Sequence, residues 1–187
     1  MRALYTLFAK PHERARRAAE HYKSIVAQAR RPEFYESLGV PDTLDGRFDL
    51  IVLHASVYLK RLRAAGPQGR NLAQAVFDIM FDNLDQSLRE LGVGDVTLPK
   101  KIRAMVSAFY GRAAAYDKAL DEGDEQGLAD ALVRNIYAGT EPRPDMLSRL
   151  GIYLRSTSAA LAATSDTDIV SNHFRWAAPL SPNAETN

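Results

Sequence analysis

The most regular hydrophobic pattern in this chain of 187 residues lies in residues 72–91, with the sequence LAQAVFDIMFDNLDQSLREL. Five large apolar side chains recur there at spacings of four, three, four and three: Phe77, Phe81, Leu84, Leu88 and Leu91. Side chains at these spacings share one face of an α-helix. We find no convincing run of the alternation with a period of two that is typical of strands. The stretch therefore predicts an amphipathic helix that packs against other helices.

Helical periodicity continues on both sides of this stretch, interrupted by proline and glycine. The predicted helices are residues 11–31, 47–65, 72–91, 99–120, 125–137 and 144–163, with a helical turn at 33–38. We predict an all-α, single-domain bundle of about seven helices. Its expected parts are a basic helical segment at 1–31 that packs on or flanks the domain, a helical domain at 32–163 and an irregular tail at 164–187. In the tail, Ile169, Phe174 and Trp176 are available to pack against the bundle, and residues 179–187 are expected to be a loose end.

Composition excludes several classes of protein. The chain has no cysteine, which excludes disulfides, thiolate zinc sites, iron–sulfur clusters and a cysteine nucleophile. The longest strongly apolar stretch, residues 50–59, is far shorter than the roughly 20 residues that a membrane-spanning helix needs. The N-terminus lacks the features of a signal peptide. We therefore expect a cytoplasmic protein, with at most a peripheral contact with the inner membrane.

Charge is unevenly distributed along the chain. The formal net charge is +1, but residues 1–31 carry eight basic and two acidic side chains, which leaves −5 on the remainder. We predict that this basic helix contacts an anionic membrane or ribosomal RNA; the alternative is a solvated face that keeps the protein soluble. DNA is not an expected partner. The predicted contact residues are Arg14, Arg16, Arg17, Lys23, Arg30 and Arg31.

Three aspartates, Asp78, Asp82 and Asp85, share one face of helix 72–91, and Arg89 continues the same stripe. A dimetal site in a helical bundle would need Glu-x-x-His on partner helices, and the sequence contains none. The pattern favours a charged rim that pairs with Arg89 and with bases on a neighbouring helix, such as Lys100, Lys101, Arg103 or Arg112. We predict no catalytic residue, no metal and no cofactor.

His54 lies in the most apolar of the predicted helices. A buried histidine can serve as a base or a metal ligand, but more often its two ring nitrogens simply find hydrogen-bond partners in the core. The sequence favours the core role.

Several stretches, taken together and in order, resemble the ubiquinol–cytochrome c chaperone family over about residues 10–140. The most specific stretch comprises Phe77-Asp78, Phe81, Asp85 and the run LRELGVGD at residues 88–95. The others are residues 34–35, 38–43, 45–49 with His54, 99–101, 109–112, 115–116, and Leu132 with 134–135.

 The combination of these stretches, in this order, is far more specific to the family than any single stretch.

The resemblance implies a non-enzymatic, mostly helical assembly factor of a bacterial, alphaproteobacterial type. Such a protein supports newly made cytochrome b, at the ribosome and the membrane, before cytochrome b enters ubiquinol–cytochrome c reductase (complex III). Two alternatives stay open: a helical module that binds nucleic acid or the ribosome through the basic N-terminal helix, and a helical enzyme that uses the aspartates or His54.

A client-binding groove is expected between helices 72–91 and 99–120, because a chaperone for a membrane subunit needs an apolar surface rimmed by charge. The alternative is that its aromatic side chains simply belong to the core. The predicted groove residues are Asp78, Asp82, Asp85, Arg89, Lys100, Lys101, Phe109, Tyr110, Arg112 and Tyr116.

Overall fold

The computed structural model describes the backbone of residues 2–179 and the side chains of residues 13–179. Within that range it contains eight α-helices and no β-strand, which confirms the all-α class. Six helices are long and two have five residues each. Their bounds are α1 Arg2–Ala29, α2 Pro32–Glu36, α3 Leu44–Ala64, α4 Gly66–Glu90, α5 Leu98–Glu122, α6 Glu125–Ile136, α7 Pro144–Ala163 and α8 Asp166–Val170.

Helix α3 is the centre of the bundle. Its side chains at 52–59 are all buried, and α1, α4, α5, α6, α7 and α8 pack around it. A helix that is apolar nearly all round needs neighbours on every side, and this explains its position. The helix begins where the Thr43 hydroxyl accepts a hydrogen bond from the Gly46 amide at 3.1 Å.

The start of α4 corrects one predicted boundary. Residues 66–69 were expected to separate two helices, but α4 begins at Gly66 and includes all four. Pro67 suits the first helical turn, because its missing amide would have no partner there in any case. A side chain at Gly69 would collide with the Leu62 carbonyl, so this glycine lets α3 and α4 meet at a tight corner.

The start of α1 corrects a second boundary. The helix was expected to begin at Pro11 but begins at Arg2, ahead of that proline. A proline inside a helix removes one hydrogen bond without necessarily ending the helix. Beyond residue 12, α1 packs on α3 and α4 through buried side chains such as Ala18 and Ile25.

The expected irregular tail is more ordered than predicted. Residues 166–170 form α8, whose N-cap is the Ser165 hydroxyl. We call residues 171–179 the C-terminal strap, an extended segment that lies on α1 and α3. The Trp176 indole NH donates to the Ser24 hydroxyl at 3.0 Å, and the Gln28 side chain donates to the Ala177 carbonyl at 3.2 Å. Residues 180–187, part of the expected loose end, lie outside the described residues.

A chain of hydrogen bonds crosses the core beneath the strap. Gln28 donates to the Tyr153 hydroxyl at 3.0 Å, and that hydroxyl lies 2.7 Å from Nε2 of His54. Nδ1 of His54 lies 2.6 Å from the Leu50 carbonyl, which can only accept, so Nδ1 carries the proton and Nε2 accepts from Tyr153. His54 is therefore a neutral core residue with both nitrogens satisfied, as the sequence favoured.

Helices α4 and α5 form a hairpin that extends beyond the main core. Near the bundle they pack through the rings of Phe77, Phe81 and Phe109. Farther out, Leu88 and Leu98 are buried but stand apart from the main hydrophobic cluster. Nowhere in the described part of the chain is a helix long and apolar enough to cross a bilayer.

Candidate functional site

An open cleft of about 460 Å³ lies between the start of α3, the middle of α5 and the end of α6. We call it the α3–α5 cleft. Its apolar surface is formed by Phe48, Val52, Met105, Ala108, Phe109 and Ile136. Its polar groups are Thr43, Asp45, Asp49, Arg112 and Thr140. The combination of an apolar floor with a few converging polar groups is typical of binding sites.

The cleft contains one ion pair, between Asp49 of α3 and Arg112 of α5. The Asp49 side chain is 12% exposed and that of Arg112 is 25% exposed. Burial raises the pKa of Asp49, although the Arg112 guanidinium beside it acts in the opposite direction. A partly buried ion pair contributes little to the free energy of folding, but removing one partner would leave the other charge partly buried and unpaired, which is destabilising. It therefore fixes a polar spot of defined position within an apolar surface.

Gly46 brings one wall of the cleft into place. A side chain at this position would collide with the carbonyl of Pro41, so only glycine allows the loop before α3 to fold back against the helix. The loop residues Pro41 and Thr43 then line the cleft opposite α5.

The structure separates the four predicted groove residues of the second half of α5. Arg112 and Phe109 line the α3–α5 cleft. Tyr110 is exposed and stacks on Phe77, with ring centroids 5.6 Å apart. Tyr116 is fully buried in the core, and burial raises its pKa, so a client could reach it only if the bundle opened.

The aspartate stripe pairs with Arg89 as expected, through Asp85, but within the part of the chain that the structure describes it forms no ion pair with the basic residues of α5. Asp78 accepts a hydrogen bond from Gln74, and Arg89 binds Asp85 on its own helix and Asp95 in the loop that follows. Arg112 pairs with Asp49 of α3 instead. Asp82, Lys100 and Lys101 are exposed. Over the described residues, no three His, Asp or Glu side chains come together as a metal site would require.

The predicted basic contact residues lie on α1 and in the turn that follows it, and most of them are exposed. Arg14, Arg16, Lys23 and Arg30 are exposed. Arg17 is partly buried, and Arg31 forms an ion pair with Glu33. Contact of this face with a membrane or with the ribosome stays a prediction.

Sequence analysis missed Asp49 and Ile136 as parts of a site. Asp49 stands 63 residues before its partner Arg112, and no local pattern connects the two positions. A weaker signal was present, because three of the stretches that carry the family resemblance, residues 38–43, 45–49 and 109–112, meet at this cleft.

Comparison with known proteins agrees with the resemblance. The family model described as ubiquinol-cytochrome C chaperone matches residues 36–176. The chain belongs to this family. The match starts later than the stretches noted in the sequence and continues through α7, α8 and most of the C-terminal strap. These elements therefore belong to the family's common fold.

Individual relatives support the same assignment. The crystal structure of the Cbp3 homolog from Brucella abortus superposes with a TM-score of 0.83, at 36% identity, over 94% of this chain and 97% of that one. The mouse ubiquinol-cytochrome c reductase complex assembly factor 1 is 28% identical over 160 residues, which are 85% of this chain and 54% of the relative. The yeast mitochondrial protein CBP3 is 29% identical over 78% of this chain and 44% of its own length. The chain thus spans about half the length of these two relatives.

Proposed function

We propose that this chain is an assembly chaperone for ubiquinol–cytochrome c reductase and that it holds newly made cytochrome b through the α3–α5 cleft. The observation that carries the proposal is the convergence of three family-typical stretches on one apolar cleft that contains a partly buried ion pair. The relative from mouse is named as an assembly factor of this complex, which supports the same process.

The size of the cleft suggests how a client is held. A volume of about 460 Å³ accommodates one or two large side chains but not a whole transmembrane helix. A hydrophobic client segment would therefore lie across the cleft and insert an anchor residue onto the floor of Phe48, Met105 and Phe109. The small contact area fits a transient complex, because the client must leave when the enzyme assembles.

The ion pair gives the cleft a second role beside apolar contact. An unassembled membrane segment exposes polar groups at its ends as well as apolar side chains. Asp49 and Arg112 offer one acceptor and one donor at the wall of the cleft, within reach of such groups. The apolar floor would supply affinity, and the pair would orient the client.

Blocking the cleft tests this proposal. Ala108 is an exposed residue of α5 that lines the cleft, and Ala114 is an exposed residue of the same helix outside it. In cells whose own copy of the gene is deleted, we expect Ala108→Trp to restore much less ubiquinol–cytochrome c reductase activity than the wild type. Ala114→Trp should restore it fully. Equal rescue by both variants would contradict the assignment of the cleft.

Photo-crosslinking identifies the client directly. A photoreactive amino acid at position 108 should capture cytochrome b during its synthesis, and the same group at position 114 should capture little. Crosslinks to other proteins only, with cytochrome b absent, would count against cytochrome b as the client.

A further inference from the structure

The α4–α5 hairpin ends in an exposed apolar tip, which we define as residues 88–103. Leu91 is 61% exposed and Val96 is 94% exposed. Leu88 and Leu98 of the same tip are buried, although neither belongs to the main hydrophobic cluster. Leu91 leaves more than half of its surface in solvent and Val96 leaves nearly all of it, so packing within the fold accounts for little of their apolar character.

The tip is held in one conformation by specific bonds. Gly92 adopts a φ of +83°, and the next amide, of Val93, donates to the Leu88 carbonyl at 3.0 Å, which ends α4 with a glycine cap. Arg89 binds Asp85 and Asp95 at once and so ties the loop to the helix. The apolar side chains are therefore displayed by an ordered loop.

The charge of the tip is positive, because residues 88–103 carry four basic and two acidic side chains, a net charge of +2. Arg89 forms ion pairs with both Asp85 and Asp95, but its single charge balances only one of them. Three basic residues in the first turns of α5 are exposed and form no ion pair with any described residue: Lys100, Lys101 and Arg103. Glu90 is the acid left near them, and it accepts a hydrogen bond from Gln86.

We propose that the hairpin tip is a peripheral docking surface for an anionic lipid bilayer. Leu91 and Val96 enter the interfacial region, and Lys100, Lys101 and Arg103 contact lipid phosphates. Exposed apolar side chains framed by unpaired basic ones match the chemistry of such a surface. With two apolar anchors, the binding is expected to be weak, reversible and sensitive to salt. This inference does not depend on the α3–α5 cleft or on the identity of the client.

Vesicle co-sedimentation of the full chain tests the docking surface. We expect binding to vesicles of phosphatidylglycerol and phosphatidylcholine at low salt, and much weaker binding to phosphatidylcholine alone. The double variant Leu91→Ser with Val96→Ser leaves the charge unchanged and should lower the bound fraction several-fold. Leu44→Ser is the matched control, because Leu44 is 64% exposed at the start of α3. It should bind as the wild type does.

A second pair of variants separates the tip from the basic face of α1. Lys100→Gln with Lys101→Gln should lower binding to the anionic vesicles, whereas Arg14→Gln with Arg16→Gln should change it little. If the α1 variant abolishes binding and the tip variants do not, the docking surface is α1 and the proposal is wrong. The proposal is also wrong if the wild type does not bind anionic vesicles.

A fluorescent reporter measures insertion itself. Because the chain has no cysteine, Val96→Cys introduces a single labelling site. An environment-sensitive dye at this position should shift to shorter wavelength on addition of anionic vesicles. The same dye at Leu44→Cys should not shift. Equal spectra at both positions would overturn the insertion of the tip.

Discussion

His54 shows how a titratable side chain is used in this bundle without any chemistry. The imidazole is completely buried, donates to the Leu50 carbonyl and accepts from Tyr153, which in turn accepts from Gln28. Burial lowers the pKa of His54 to about 4. The neutral ring joins α1, α3 and α7, and protonation would place a charge in the core and remove the acceptor for Tyr153.

The depressed pKa of His54 makes stability depend on pH. The unfolded chain takes up a proton near pH 6.5 and the folded chain only near pH 4, so stability is lost as the pH falls through this interval. The loss expected from His54 between pH 7 and pH 5 is about 2 kcal/mol. In urea denaturation at the two pH values, His54→Gln should remove most of this difference. A variant with the same pH dependence as the wild type would show that the ring is not the responsible group.

His21 contributes with the same sign. Its Nδ1 lies 2.7 Å from the Tyr58 hydroxyl, and burial is the main cause that lowers its pKa. The His54→Gln variant should therefore keep a smaller loss of stability at low pH, which comes from His21. The sequence predicted that His54 is a core residue, but it did not predict the hydrogen bonds around the ring. His54 lies 99 residues from Tyr153, and Tyr153 lies 125 residues from Gln28, so no local pattern connects these positions.

The C-terminal strap is the element that sequence analysis described least well. The sequence offered Phe174 and Trp176 as side chains that pack on the bundle, and both do so. Residues 171–179 have no helical period, so the path of their backbone was not predicted. Their order comes from tertiary contacts. The Trp176 ring lies 5.4 Å from the rings of both His54 and Tyr58, and Phe174 packs against Trp176 at 5.1 Å.

Trp176→Ala should loosen the strap and lower stability by about 2–3 kcal/mol, because a large, partly buried aromatic ring is removed. Thermal unfolding measures the loss. The wild type offers a second signal, since Trp176 is the sole tryptophan and its emission should shift to longer wavelength when the strap detaches. Trp176→Phe should keep most of the stability. No loss in Trp176→Ala would indicate that the strap does not stabilise the bundle.

The long helices were predicted well where an amphipathic stripe defines them. Helix α7 was predicted with its observed bounds, and the predicted end of α4 differs by one residue. The errors concern Pro11 and residues 66–69, where proline and glycine were expected to stop a helix. At these positions the tertiary context decides, because Pro67 begins α4 and Gly69 permits close packing between α3 and α4.

The whole molecule combines a tightly packed body with a less supported extension. Helix α3 is surrounded by six other helices, whereas the outer part of the α4–α5 hairpin rests mainly on Leu88 and Leu98. Local stability should follow this difference in packing. Sequence periodicity predicted both hairpin helices. It did not show that their far ends leave the core, since an isolated stripe looks the same whether a helix packs against a bundle or a single partner.

Amide hydrogen exchange should reveal this gradient. We expect the slowest exchange in residues 50–59 of α3 and exchange at least tenfold faster in residues 85–103, because opening the tip exposes little apolar surface. Peptides from α7 provide an internal reference within the body. Equal protection of the tip and of α3 would show that the hairpin unfolds together with the bundle.

The long-range hydrogen bonds of the C-terminal strap also affect how the protein folds during translation. Gln28 is translated 149 residues before Ala177, the residue whose carbonyl it binds. At 5–20 residues per second, that gap lasts roughly 7–30 s. From the completion of α3 at Ala64 until the strap is made, the nascent chain carries α1 and α3 without the strap that covers their aromatic side chains. The nascent chain is thus an intermediate with exposed apolar surface, prone to aggregation, for many seconds before the strap can dock.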